Sequence, residues 1–189
     1  VDPARIGVIL GTGTGGIATF EDQCRTYVEK GPDRVSPFFV PMFMPNAASA
    51  LISMRWGVKG PNYSVSSACA TSGHSVGEAM RLIQHGYADV MIAGGSEAAV
   101  TPLAIASFAN MKALSERNDA PQQASRPFDA TRDGFVLGEG SAVLCLERMD
   151  LAQRRGAPIL AELAGYGSSC DAYRLTDEDP EGRGAILAM

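Results

Sequence analysis

Basic residues are in short supply. Lys and Arg number 16 against 21 Asp and Glu, a formal charge of −5. Nucleic-acid binding rests on neutralising phosphates and favours the opposite balance, so no nucleic-acid partner is expected. Long apolar runs are missing too: nowhere do about 18 apolar residues follow one another, as a membrane-spanning helix requires. No membrane partner is expected, and Val1–Arg5 carries no apolar run of the signal-peptide kind. Cysteine is sparse. The four, at 24, 69, 145 and 170, include no C-x-x-C pair, and neither histidine, His74 or His85, lies near them at a metal-ligand spacing. This argues against a disulfide scaffold and against a metal site. The thiols read as free, in a reducing compartment, and Cys24, Cys145 and Cys170, inside or beside apolar runs, read as small packing residues.

What remains is globular. Hydrophobic residues are 46 % and charged residues 20 % of 189, enough for one well-buried core. The 21 glycines fall at the ends of apolar runs. Arg5–Leu10 reads as a buried strand closed by Gly11–Gly16, and a helix follows over 17–30, stopped by Gly31-Pro32. The prolines at 37 and 41 predict an extended or irregular Ser36–Pro41. Helical spacing resumes over 46–56. Tyr63–Ser67 reads as a short strand, and Ala68–Gln84 as a helix with one buried stripe. Ala88–Ala93 reads as a strand stopped by Gly94-Gly95, 101–114 as a helix, and the polar Ser115–Gly134 as a long surface loop. Strands over 135–138, 141–147 and 159–167 and a short helix over 149–155 complete the pattern.

Alternating strands and helices imply an α/β protein with a mostly parallel, buried sheet. Asp179-Pro180 resembles a cap and first turn for a last helix reaching Met189. A core strand almost at the start and a helix without a C-cap at the end lead us to expect a piece of a longer protein.

Cys69 has the best chemical address. It sits between a predicted strand and a predicted helix, where unsatisfied backbone N–H groups and the helix dipole favour a thiolate. Small neighbours, Ala68, Ala70 and Gly73, permit a sharp turn, as in hydrolase nucleophile elbows. A buried inert cysteine is the competing reading. A thiolate also needs an acid or base and oxyanion donors. His74, five residues on, points away from the thiol, and His85 sits near the far end of the helix. Gly11-Thr12-Gly13-Thr14-Gly15-Gly16 matches G-x-G-x-x-G, so a dinucleotide-binding oxidoreductase is a second function class. The acidic strand end due about 20 residues later is absent, and a packing role for these glycines is favoured. Gly94-Gly95-Ser96-Glu97 is equally ambiguous. Arg126, Asp129, Arg132 and Asp133 read as ion pairs pinning the long loop.

Gly60-Pro61-Asn62-Tyr63-Ser64-Val65 followed by Ser67-Ala68-Cys69-Ala70-Thr71 resembles the active-site segment of β-ketoacyl-acyl-carrier-protein synthases. Ala88–Glu97, Arg126-Pro127-Phe128-Asp129 and Asp133–Gly140 resemble the same family. The likeness covers nearly all the chain. Ser36–Pro41 and Asp171-Ala172-Tyr173 look most like the type II elongating synthase of dissociated fatty-acid synthesis.

The resemblance implies a thiolase-like α/β fold, layered αβαβα when complete, in a cytoplasmic homodimer. Residues 1–157 would be the N-terminal ketosynthase half without its first strand and helix, and 158–189 the beginning of the C-terminal half. It implies decarboxylative Claisen condensation without a cofactor. Cys69 would take an acyl chain from acyl carrier protein, and the carbanion from malonyl-carrier protein would attack that thioester. The Cys69 N–H would be one oxyanion donor. A pair of histidines, a lysine and a glycine-rich oxyanion segment would come from sequence beyond these residues, so the 189 residues alone are expected to be inactive. Thr14, Phe108 and Phe135 would border the acyl tunnel, plain core being the competing reading for the two phenylalanines. Lys112 would meet the acidic carrier protein. Two positions depart from the family pattern: Thr14 stands where a bulky apolar residue is usual, and Arg174 where histidine is usual. A ketosynthase of polyketide assembly, with the same chemistry on another chain, and a non-catalytic truncated synthase fit the same motifs.

Overall fold

The computed structural model describes residues 1–189. Its strands are β1 (Ile6–Gly11), β2 (Asn62–Tyr63), β3 (Val90–Glu97) and β4 (Gly140–Glu147). Its helices are α1 (Ile17–Lys30), α2 (Phe39–Phe43), α3 (Ala47–Trp56), α4 (Thr71–Gln84), α5 (Pro102–Asn110), α6 (Met149–Arg154) and α7 (Arg183–Ala188). One sheet runs β2-β1-β3-β4. β1 pairs in parallel with β2 and β3, whereas β3 and β4 are antiparallel.

The core forms where apolar β-formers meet small helix residues. Val8, Ile9 and Met91 are fully buried, with Ala79 of α4 and Ala88 and Ala93 beside them. Ser49 of α3 is buried as well, and its hydroxyl is satisfied: it accepts from Leu10 N at 2.9 Å and donates to Tyr63 O at 3.0 Å. That bridge ties β1 to β2 where the short β2 ends. At the opposite end of the sheet Asp89 accepts from Arg5 at 3.0 Å through both carboxylate oxygens and from Arg148 at 3.0 Å. The hydrogen bonds from Arg5, then those from Arg148, hold its carboxyl down at about 2.

Several expectations need correction. Two prolines do not keep 36–41 irregular: α2 begins at Phe39, and Pro41 falls in its first turn, where backbone N–H groups have no intrahelical partner anyway. Tyr63–Ser67 is strand only at Tyr63, because beyond it the backbone turns into the bend before α4. Gly94-Gly95 does not stop β3, which pairs through to Glu97. A Cβ at Gly94 would run into the carbonyl oxygen of Ala142, so this glycine serves the close approach of β4. Phe135 makes only an isolated bridge to Leu114, and 159–167 forms no strand. The sheet is not buried throughout, since most of β4, including Val143, Leu144 and Cys145, is exposed at its edge. Cys24 and Cys170 are also exposed, so none of the three packs inside. The last helix starts at Arg183, after Gly182 in the left-handed region, and Asp179 instead pairs with Arg183 at 2.6 Å.

Candidate active site

The register of β1 on β3 sets the site. Leu10 lies opposite Gly94 and Gly11 opposite Gly95, so the loop after β1 and the end of β3 emerge side by side. This is the carboxyl edge of the parallel strands, where α/β sheets place their ligands. Glu97, the last residue of β3, organises that loop. Its Oε1 accepts from the hydroxyls of Thr12 at 2.9 Å and Thr14 at 2.8 Å, and its Oε2 from Gly13 N at 2.7 Å. Thr12 Oγ1 in turn accepts from Gly15 N at 3.0 Å.

The N-terminus of α4 descends onto the same edge. Glycine makes room for it: a Cβ at Gly11 would meet the Thr71 methyl, and one at Gly95 the Ser72 hydroxyl. Cys69 lies in the single 3-10 turn Ala68–Ala70 that precedes α4, so it stands just before the helix, as its place between strand and helix in the sequence suggests. Ala68 has φ +50°, a left-handed backbone that an L-residue with a side chain adopts at a cost of about 1–2 kcal/mol. The preceding Ser67 holds the turn, with its N–H donating to Thr71 Oγ1 at 2.8 Å and its carbonyl accepting from Ala70 N at 3.1 Å. Cys69 is exposed. It lines an open cavity of about 710 Å³ together with Thr12, Thr14, Glu97 and Phe108. Local geometry thus favours an accessible thiol over the inert packing residue.

The sequence candidates are therefore brought together in part. Cys69, Thr14 and Phe108 share the cavity. Phe135 does not line it but stands behind Phe108, edge-on with ring centroids 5.2 Å apart. Lys112 is outside it, exposed just past the end of α5 with φ +58°. His74 makes no dyad with Cys69: its Nδ1 is engaged by Ser67 Oγ at 2.6 Å. His85 closes the C-terminus of α4. Arg174 is paired with Asp177 at 3.1 Å and stacks on Tyr173.

Of the ion pairs expected in the long loop, Arg126–Asp133 forms, whereas Arg132 donates to the Asp129 carbonyl at 2.8 Å and the Asp129 carboxylate accepts from Thr131. Asp133 accepts from Ser115 Oγ at 2.6 Å, Glu116 N at 3.1 Å and Arg126 at 2.9 Å. The Ser115 bond, ahead of the Glu116 N–H and Arg126, keeps the Asp133 carboxyl below its usual range. The glycine loop does not suit a pyrophosphate. The Gly13 N–H is spent on the Glu97 carboxylate and the Gly16 N–H on Phe43 O at 3.1 Å, leaving an anion to face a carboxylate. Sequence reasoning named Glu97 only as part of an ambiguous run and gave it no role: it lies 83 residues from Thr14, and its signal is only an acidic residue closing a strand.

Comparison with known proteins agrees with this geometry. Residues 1–152 match the family described as Beta-ketoacyl synthase, N-terminal domain. The chain is 53 % identical over 185 residues to 3-oxoacyl-[acyl-carrier-protein] synthase 2 of Synechocystis, covering 98 % of this chain and 44 % of that protein. It is 50 % identical over 186 residues to the synthase 2 of Vibrio cholerae, covering 98 % and 45 %. The chain thus spans about half the length of the curated relatives it matches. Among solved structures, a ketosynthase complex with its type II polyketide-synthase acyl carrier protein superposes with TM-score 0.92 at 37 % identity, over 100 % of this chain and 48 % of that one. A β-ketoacyl synthase from Burkholderia phymatum gives 0.86 at 36 %, over 98 % and 46 %. A thiol set on a strained bend at the carboxyl edge of the sheet, a family match over most of the residues and this thiolase-like likeness lead to one assignment: the chain belongs to the β-ketoacyl synthase family and carries its N-terminal domain.

Proposed function

We propose that this chain contributes the acyl-accepting half of a 3-oxoacyl-acyl-carrier-protein synthase of the elongating type II kind. The observation that carries the reading is the exposed Cys69 sulfur in a cavity shared with Thr14 and Phe108. In the first step the Cys69 thiolate attacks an acyl thioester on acyl carrier protein. The carrier thiol leaves, and the acyl group becomes a Cys69 thioester. In the second, malonyl-carrier protein loses carbon dioxide, and the carbanion that remains attacks the acyl carbonyl carbon of the Cys69 thioester. The Cys69 thiolate is expelled, and a 3-oxoacyl-carrier protein longer by one two-carbon unit departs. Cys69 N–H serves as one oxyanion donor. Phe108, backed by Phe135, and Thr14 border the acyl chain, and Lys112 faces the acidic carrier protein. Residues 1–157 act as the N-terminal half and 158–189 as the start of the C-terminal half of a cytoplasmic homodimer. The domain match ending at 152 supports that division.

A carrier-protein partner is supported by the structural relative solved in complex with one. Identity favours fatty-acid elongation over polyketide assembly, at 53 % to a fatty-acid-type synthase against 37 % to the polyketide ketosynthase. The test is acyl transfer from acyl-carrier protein to the full chain, followed by intact mass and peptide mapping. An acyl adduct on Cys69 supports the reading, and an adduct on another cysteine overturns it.

A further inference from the structure

His74 is used by no step above, yet it makes one of the shortest side-chain contacts in the molecule, Nδ1 to Ser67 Oγ at 2.6 Å. We propose that the Ser67–His74 hydrogen bond is a positioning device that holds the strained Ala68 bend and thereby aims the Cys69 sulfur into its cavity. The inference rests on the reading of Cys69 as the acyl acceptor.

The geometry carries it. A left-handed alanine persists only where its neighbours over-determine the backbone, and Ala68 is flanked by a residue fixed at every polar atom. Ser67 N–H is held by Thr71 Oγ1, its carbonyl by the Ala70 N–H and its hydroxyl by His74. Thr71 and His74 lie three apart on α4, on one face of its first turn, so both reach back to the same residue. The His74 ring is itself set edge-on to Tyr166, with centroids 6.2 Å apart. Tyr166 packs over Gly77, where a Cβ would strike its ring, and carries the Arg81 guanidinium 4.8 Å from its centroid. The orientation of Nδ1 is therefore fixed from behind.

Asparagine and glutamine separate this role from mere packing. The Asn amide places a polar atom where Nδ1 sits, and the Gln amide where Nε2 sits. The experiment is iodoacetamide alkylation of the full chain, with the rate at Cys69 followed by peptide mapping and Cys24 as internal reference. His74→Gln and His74→Leu are expected to slow Cys69 about tenfold, the loss of one well-made hydrogen bond, while His74→Asn stays within about twofold of the parent. Ser67→Ala should match His74→Gln, and the pair together should lose no more than either. Parent-like rates in His74→Gln overturn the proposal. So does a His74→Asn rate as low as that of His74→Gln, since ring packing would then be the cause. If the parent Cys69 reacts no faster than Cys24 and takes no acyl group, the reading beneath falls, and this proposal with it.

Discussion

The Thr14 hydroxyl donates to Glu97 Oε1 across 2.8 Å, joining the loop after the first strand to the end of the third. Where the resemblance implies a bulky apolar residue, the side chain here is polar and tethered. The same carboxylate fixes Thr12 and Gly13, and Ser66 Oγ reaches Gly13 O at 3.4 Å from just before the Cys69 bend. One acidic residue thus sets the wall facing the sulfur.

Removing that carboxylate should loosen the wall. Glu97→Ala is expected to destabilise the protein by about 1–3 kcal/mol, because three donors lose a charged acceptor. Glu97→Gln, which keeps one acceptor oxygen and lets the threonine hydroxyls reverse, should lose less. Urea midpoints of the three proteins check the order, and an unchanged midpoint in Glu97→Ala would contradict it.

Acyl selectivity should respond to Thr14. Thr14→Leu gives up the Glu97 bond and adds bulk to the cavity, so transfer of long acyl chains should fall relative to short ones. Rates of acyl loading across a chain-length series measure this. A uniform change at every length would place Thr14 away from the acyl path.

Cys69→Ser should reduce acyl loading by at least about a thousandfold, since a hydroxyl without an adjacent base is a weak nucleophile at neutral pH. Its melting temperature should stay near the parent value, because the side chain is exposed. Intact mass after incubation with acyl-carrier protein reads the first effect and calorimetry the second.

Asp89 predicts the acid response. Its carboxyl sits at about 2 in the folded protein, held there chiefly by Arg5 and then Arg148, below the usual value of about 3.9 for the unfolded chain. The folded state therefore binds fewer protons than the unfolded one between these values. The contribution of Asp89 is complete above about pH 4 and is lost as the pH falls towards 2. Asp89→Asn should flatten the decline of the urea midpoint across that window, and an undiminished slope would count against the Arg5–Asp89–Arg148 cluster.

Gly94→Ala should separate β3 from β4, since the new methyl meets a backbone carbonyl that no rotamer change can move. A loss of about 1–3 kcal/mol is expected, lowering Tm by several degrees. Thermal unfolding tests it directly.

Local signals were enough for much of this molecule. The first helix spans Ile17–Lys30 as its glycine and proline punctuation predicts, and the bend at Cys69 follows from small residues between a β-run and a helical stripe. Such features are encoded within a turn or two of chain, where capping, φ limits and periodicity act. The sequence also sufficed to point to a ketosynthase-like chain, and three residues named from it, Cys69, Thr14 and Phe108, line one cavity. Tertiary structure decided what depends on strand register and on which layer covers which face. It brought Glu97 to a loop more than 80 residues away, carried β3 through two glycines, and left Cys145 on an open edge, whereas the turning of His74 away from the thiol is already readable from its spacing. Glu97, β3 and Cys145 each depend on partners fixed by the pairing of β1, β3 and β4, which no window of neighbouring residues contains.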